Sequence, residues 1–275
     1  KNDENDATKE IEITKHGDFY LLSESESNIN CLADSKIIAS LLENAVKIRK
    51  FYKISQKSSD SALFLTDEKS AFSIAFYADS DNAVSQVFFG AEDSLKNRIY
   101  LRSKNSNAVY ECENDFHQYL TIEKKYWAEG KIFAESGSPV QIDFEKLNQN
   151  GIPSEILKID DKSEDFQKKS EYLLSLRHGN ITDEVPLGFQ KVTVLKLQDG
   201  NGRIVKIDFF QSAENTGEGD SNSYYYIKSV IPSLIDAQST AFAFYSENAV
   251  YEISAWTYGK IRDLFLNVIR KRFCP

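Results

Sequence analysis

Apolar residues change their spacing several times along the chain, and each change marks a predicted element. Ile11 and Ile13 alternate with polar neighbours, Gly17-Asp18 offers turn chemistry, and Phe19 to Leu22 resumes an extended run, which predicts a small hairpin. The Ser/Glu/Asn-rich stretch from Ser23 to Asn30 reads as a loop. Ile37, Ile38, Leu41, Leu42, Ala45 and Ile48 then recur at helical spacing behind an Asp34-Ser35 cap. That spacing predicts an amphipathic helix over 36–50 with one face buried. Beyond Phe51 the period becomes that of a strand. Leu63 and Leu65 are followed by Phe72, Ile74 and Phe76 on one side, and short runs follow at 84–89, 98–102 and 107–112. Their short polar connections favour antiparallel neighbours, because a parallel crossover needs about a dozen residues or more.

A pentapeptide organises the whole. Asn107-Ala108-Val109-Tyr110-Glu111 returns unchanged as Asn248-Ala249-Val250-Tyr251-Glu252, each time after an aromatic, strand-like run. Val205, Ile207 and Phe209 likewise match Phe72, Ile74 and Phe76 in order and period. Between the pentapeptides, Val140, Ile142 and Phe144 alternate as a strand, and Ile156 to Ile159 is extended. Asp161 and Glu164 have capping-box spacing for a helix through Phe166, Leu173 and Leu176, ended by Gly179. Asp199-Gly200-Asn201-Gly202 is tight-turn chemistry, and 211–223 is a long loop rich in Gly, Ser and acidic residues. Tyr224 to Ile227 and then Phe242 and Phe244 read as strands, and Ile261, Leu264, Phe265, Val268 and Ile269 as one face of a terminal helix. The expected fold class is therefore α+β: a duplicated unit, each copy an amphipathic helix packed on a mainly antiparallel β-sheet. Residues 1–9 form a polar tether stub, 10–137 the first repeat and 138–275 the second, joined at Gly137-Ser138-Pro139.

Composition narrows the function classes. With 41% hydrophobic and 27% charged residues the chain reads as globular. The net charge is −9, and we read no basic stripe interleaved with aromatics, so nucleic acid is not an expected partner. No apolar run approaches the roughly 20 residues that cross a bilayer. Lys1 to Asp6 is too polar to pack and reads as the stub of a tether or processed leader. Three cysteines permit at most one intramolecular disulfide. Cys112 follows the first pentapeptide where Ile253 follows the second, which marks a buried apolar position, and Cys274 reads as exposed.

Catalytic constellations do not appear. The chain has no G-x-S-x-G elbow, P-loop, H-E-x-x-H or dinucleotide fingerprint. His16, His117 and His178 stand isolated, as surface or capping residues. Asp79, Asp81 and Asn82 hint at calcium, but Gly90 stands where an EF-hand needs its bidentate acid, so they read as a solvated turn. No catalytic, cofactor-binding or metal residue is expected. Tyr224, Tyr226 and Trp127 are the candidate contacts for a ligand or partner, although aromatics also serve ordinary cross-strand packing.

The hairpin, the Asp34-Ser35-Lys36 opening of a Leu41-Leu42 helix ending near Arg49-Lys50, Gly90, Arg98-Ile99-Tyr100-Leu101-Arg102 and Val109-Tyr110 together resemble the bacterial domain-of-unknown-function family 4340. The resemblance is clearest over 10–120; Phe19-Tyr20 stands where the family commonly has Trp. The family is associated with gliding-motility-type ABC-transporter auxiliary proteins and offers no catalytic residues. The resemblance implies a domain on the outer side of the cytoplasmic membrane, reaching that membrane only through an N-terminal anchor absent from this chain. The expected function is a non-enzymatic accessory or protein-interaction module whose partners are ABC-transporter or envelope subunits. The alternative is a ligand-binding module with a largely apolar pocket between the repeats, and an exposed apolar patch without such a pocket would favour the first.

Overall fold

A computed structural model describes residues 9–24, 29–78, 82–133, 138–200, 202, 204–212, 224–229, 246–247 and 249–272. The chain opens with the expected hairpin: β1 (Ile11–His16) pairs antiparallel with β2 (Phe19–Glu24) across a turn that holds Gly17 at φ +59°. β3 (Ile29–Leu32) begins in the last two residues of the stretch read as a loop, Ser23 to Asn30, and buries Ile29 and Cys31. Burial pushes the Cys31 thiol up to about 12. The chain forms two compact units, one continuous over 36–121 and one discontinuous, Lys1–Ser35 with Ile122–Pro275, a division drawn differently from the two sequential repeats expected.

The continuous unit begins with α1 (Ser35–Val46), which ends four residues before the expected limit and buries Ile38 and Leu41. It is followed by β4 (Tyr52–Ser55), α2 (Asp60–Leu63), β5 (Phe72–Tyr77), β6 (Ala83–Glu92), β7 (Arg98–Ser103) and β8 (Val109–Glu113), then a single 3-10 turn at His117–Tyr119. These strands form one antiparallel sheet in the order β4-β8-β7-β6-β5. The expected strand through Leu63 and Leu65 is instead α2 and a turn: Leu63 is exposed and Leu65 takes a positive φ of 55°. Its apolar alternation has no buried face to serve.

That turn explains Gly90. Strand β6 shifts register between Phe89 and Glu92, and the amide of Ala91 donates to the Phe64 carbonyl at 3.0 Å. A Cβ on Gly90 would stand 2.2 Å from that same carbonyl oxygen. Gly90→Ala is therefore expected to lower the stability of the continuous unit by about 2–3 kcal/mol through forced separation of β6 from the turn. A urea midpoint equal to that of the parent would refute this.

The discontinuous unit adds α3 (Lys124–Trp127), β9 (Gln141–Leu147), β10 (Pro153–Asp160), α4 (Phe166–Leu174), β11 (Asn180–Thr182), β12 (Phe189–Gln198), β13 (Ile204–Ser212), β14 (Tyr224–Ser229), β15 (Ser246–Glu247), β16 (Val250–Ser254) and α5 (Ala255–Arg272). Seven strands pair antiparallel in the order β10-β9-β12-β13-β14-β16-β11, and β1-β2-β3-β15 form a separate four-stranded sheet. Ile142, Phe144, Leu195, Leu197, Ile207, Phe209 and Ile227 are buried on the strands, as are Ile261 and Phe265 of α5. The Phe144 and Phe265 rings stack 5.0 Å apart, and Tyr258 of α5 stacks on Tyr225 at 3.9 Å. At α4 the expected capping box is absent: Asp165 is the cap residue and makes no side-chain cap bond, while Asp160 Oδ1 accepts from the Lys162 amide and the Ser163 hydroxyl.

The α+β, duplicated reading is overturned by these sheets. Among the described residues the protein is mainly β, with three antiparallel sheets, and two of the five α-helices there have only four residues. The repeated pentapeptides share a local role, since Val109 and Val250 are fully buried where each enters a strand with neighbours on both sides. A buried Ala-Val followed by Tyr suits strand entry in any antiparallel sheet, so identical words do not make the halves copies of a helix-on-sheet unit. Cys112 is buried, as is Ile253; Cys274 lies outside the described residues, as do the turn residues Asp79 and Asp81, the loop at 213–223, and Phe242 and Phe244.

Candidate functional site

The most distinctive surface of the continuous unit begins where α1 stops. Arg49 folds back on the helix end: its Nη1 donates to the carbonyls of Asn44 and Lys47, and its Nη2 to Asn44 Oδ1 at 3.2 Å. A cation on the last carbonyls of a helix satisfies groups that no further turn will reach. The same guanidinium meets Asp115 Oδ2 at 3.3 Å and lies 4.7 Å over the Phe116 ring, and Lys47 Nζ meets Asp115 at 2.6 Å. Asn44 also donates to the hydroxyl of buried Tyr119, which bonds Ser40 at 2.6 Å. The helix is thus clamped to the segment after β8.

With Arg49 turned inward, Ile48 is turned out. It was expected on the buried helical face and is instead 97% exposed, beside Val46 at 82%. Strand β4 then runs along the edge of the sheet, paired with β8 through Tyr52, Lys53 and Ser55 and with a register break before Ser55. Phe51, Tyr52 and Ile54 are each about half exposed. Phe51 meets Tyr110 edge-on at 6.3 Å, and Arg98, held by Glu111 at 3.2 Å, lies 5.1 Å over the Tyr52 ring. These contacts fix the aromatic rings at the edge without covering them.

Charge distinguishes the same stretch. From Lys47 to Lys57 the chain carries Lys47, Arg49, Lys50, Lys53 and Lys57 and no acidic residue, within a chain of net charge −9. Lys47 and Arg49 are engaged by Asp115, and Lys57 lies near enough to Asp60 to help lower its pKa, after the hydrogen bonds from Ser55 and Ser59. Lys50 and Lys53 are exposed and in no ion pair among the described residues. The expectation of no basic stripe interleaved with aromatics is corrected here. Arg49-Lys50-Phe51-Tyr52-Lys53 was legible and was masked by the acidic total.

The expected contact residues are placed elsewhere. Trp127 is buried in α3, edge-on to Tyr126 at 5.0 Å. Tyr226 is buried in β14, edge-on to Phe189 at 4.9 Å, and its hydroxyl donates to Glu252 at 3.2 Å. Tyr224 stands opposite Ser254 in the ladder, and its side chain lies outside the described residues. A cavity of about 400 Å³ in the discontinuous unit is lined by Glu123, Lys124, Lys125, Gly179, Asn180, Ile181 and Glu252. Another of about 360 Å³ in the continuous unit is lined by polar residues that include Ser58, Ser61 and Arg102. Neither takes in the three aromatics, and neither has a largely apolar lining.

Two of the three histidines are less isolated than expected. His117 Nδ1 meets Glu92 at 2.7 Å, and His178 Nε2 meets the Glu129 carbonyl at 2.9 Å with its ring 5.2 Å from Tyr251. Burial lowers the His178 pKa against that carbonyl's pull. Lys96 Nζ lies 3.3 Å from the other ring nitrogen of His117, on the protein surface. Among the described residues no group of three or more His, Cys, Asp or Glu is placed to hold a metal ion, and no helix is long and apolar enough to cross a membrane.

The fold and this surface define a β-rich protein that presents apolar and cationic side chains along an open sheet edge. The family model described as domain of unknown function (DUF4340) matches residues 25–201, more than half of the chain, and the chain belongs to that family. No curated protein and no solved structure matches it.

Proposed function

We propose that this protein is a non-enzymatic protein-interaction module, acting as an accessory of an ABC-type transport or envelope complex on the outer side of the cytoplasmic membrane. The observation that carries the interaction reading is the run of exposed Val46, Ile48, Phe51, Tyr52 and Ile54 within nine residues, from the end of α1 into the edge strand β4. Isolated apolar side chains on a surface need no explanation, whereas several along one edge fit a surface that a partner covers. An open edge also exposes unpaired backbone donors and acceptors, which folded proteins otherwise cover or blunt. The placement in a transport or envelope complex rests on the family resemblance and not on this surface.

The test is affinity capture from membranes of the source organism with the full chain as bait. Transporter or envelope subunits should be retained by the parent and lost when Ile48 and Ile54 are both changed to Asp. Because both side chains are exposed, the variant should keep the parent's thermal transition. Equal recovery with the two baits would sink the reading, as would recovery of no such subunit with either.

A further inference from the structure

We propose that the free edge of β4 takes up an extended, acidic segment of a partner protein as an added strand of the five-stranded sheet. This rests on the interaction reading above and names the chemistry of the occupant. Among the described residues, the backbone of 50–54 makes no hydrogen bond apart from the ladder to β8. Up to the register break between Lys53 and Ser55, the side of β4 away from β8 therefore offers donors and acceptors in strand geometry, the arrangement that strand addition uses. Side chains on an added strand would alternate in direction and meet the residues of β4 on both faces.

Charge selects among occupants. Lys50 and Lys53 flank Phe51 and Tyr52 and lack acidic partners, and no carboxylate occurs between Lys47 and Lys57. A second copy of this edge would bring Lys50 and Lys53 against their own kind, and like charges directly opposite are destabilising. Lysines on an edge strand guard against such self-pairing. Those cations attract a strand that carries Glu or Asp, while Ile54 and the two rings offer apolar contact. An anionic lipid surface shares the charge, but burying an open sheet edge in a bilayer leaves its backbone groups without partners. The observations therefore favour a polypeptide.

The experiment uses the full chain and a short blocked peptide alternating Glu and Val, compared with its Lys-Val counterpart and with vesicles containing phosphatidylglycerol. Binding of the Glu-Val peptide alone, slowed hydrogen exchange at the amides of β4, and a decline in affinity with added salt are expected. Lys50→Glu with Lys53→Glu should weaken that binding about tenfold or more, since two attractive pairs are lost and like charges now face one another. Equal binding of both peptides, binding of neither, or binding to vesicles alone overturns the proposal. The capture assay separates its failure from that of the wider reading. Partner loss in the Ile48→Asp, Ile54→Asp bait with full retention in the lysine-reversal bait leaves the interface standing and removes the acidic occupant; retention in both removes the interface itself.

Discussion

Arg49→Met should destabilise the continuous unit by about 2–3 kcal/mol, read as a fall in its urea midpoint with an unchanged slope. The guanidinium is almost wholly buried and donates to two helix-end carbonyls, to Asn44 Oδ1 and to Asp115. Methionine keeps much of the packing over Phe116 and supplies none of the donors. Hydrogen bonds involving a charged group contribute about 1.5–3 kcal/mol, and removing the buried member of this partly exposed pair leaves the helix-end carbonyls and Asn44 without their donor. Lys47 still holds Asp115, which keeps the loss below that of a fully stranded charge. The variant should also lose capture of partners, because the same clamp turns Ile48 and the start of β4 outward.

Asp115 gives this clamp a pH signature. The hydrogen bond from Lys47, together with the charges of Lys47 and Arg49, outweighs burial and holds its carboxyl below the ordinary 3.8. A carboxylate with a lowered folded pKa binds fewer protons folded than unfolded. Its contribution is complete above the unfolded value and is lost as pH falls through the folded one. Asp115→Asn should therefore lower stability at neutral pH and flatten the acid-side decline below about pH 4. An undiminished decline in that variant would mean that other carboxylates carry it.

Phe265→Ala should be the most damaging change in the discontinuous unit, at about 3–5 kcal/mol. Phe265 has no exposed surface and stacks on Phe144 in parallel at 5.0 Å, so truncation removes its own burial and half of an aromatic pair. The sheet residues beneath are held in their ladder and have little freedom to collapse into the space. A drop in the thermal transition of this unit, with β4 exchange unaltered, is the expected result. A loss under about 1 kcal/mol would show that α5 repacks freely and that the stack is not a fixed part of the core.

Several elements were legible because their burial is periodic. Val205-Ile207-Phe209 alternate where one face of a sheet is buried, Phe72-Ile74-Phe76 keep the same period although only half-buried, and Ile261 and Phe265 recur where a helix lies on strands. Strand β4 left no such trace, because an edge strand with Phe51, Tyr52 and Ile54 exposed has no buried face to impose a period. Leu63 and Leu65 left a false one. The continuation of α1 to residue 50 followed from spacing that included Ile48, and it failed because Arg49 and Asp115, far apart in sequence, meet to cap the helix.

The candidate surface was half visible in the same sense. Its cations and aromatics stand in plain order from Arg49 to Lys53, and a local charge count would have found them. Their exposure was not readable, since an aromatic beside lysine is as consistent with a packed strand as with an open edge. Trp127 and Tyr226 show the reverse: residue type suggested contact with a partner, and the folded chain buries both, Tyr226 against Phe189 of another strand.

By itself the sequence determined the local elements, the antiparallel pairing forced by short connections, and the buried positions that repeat every second residue or once per helical turn. Those follow from backbone geometry and the exclusion of apolar groups from water, which act over a few residues. Tertiary structure decided which strands stand at sheet edges, that β3 pairs with β15 across most of the chain, and that Ile48 faces out while Arg49 faces in. These depend on contacts between residues tens to hundreds of positions apart, whose loop-closure cost is met only when the whole sheet forms.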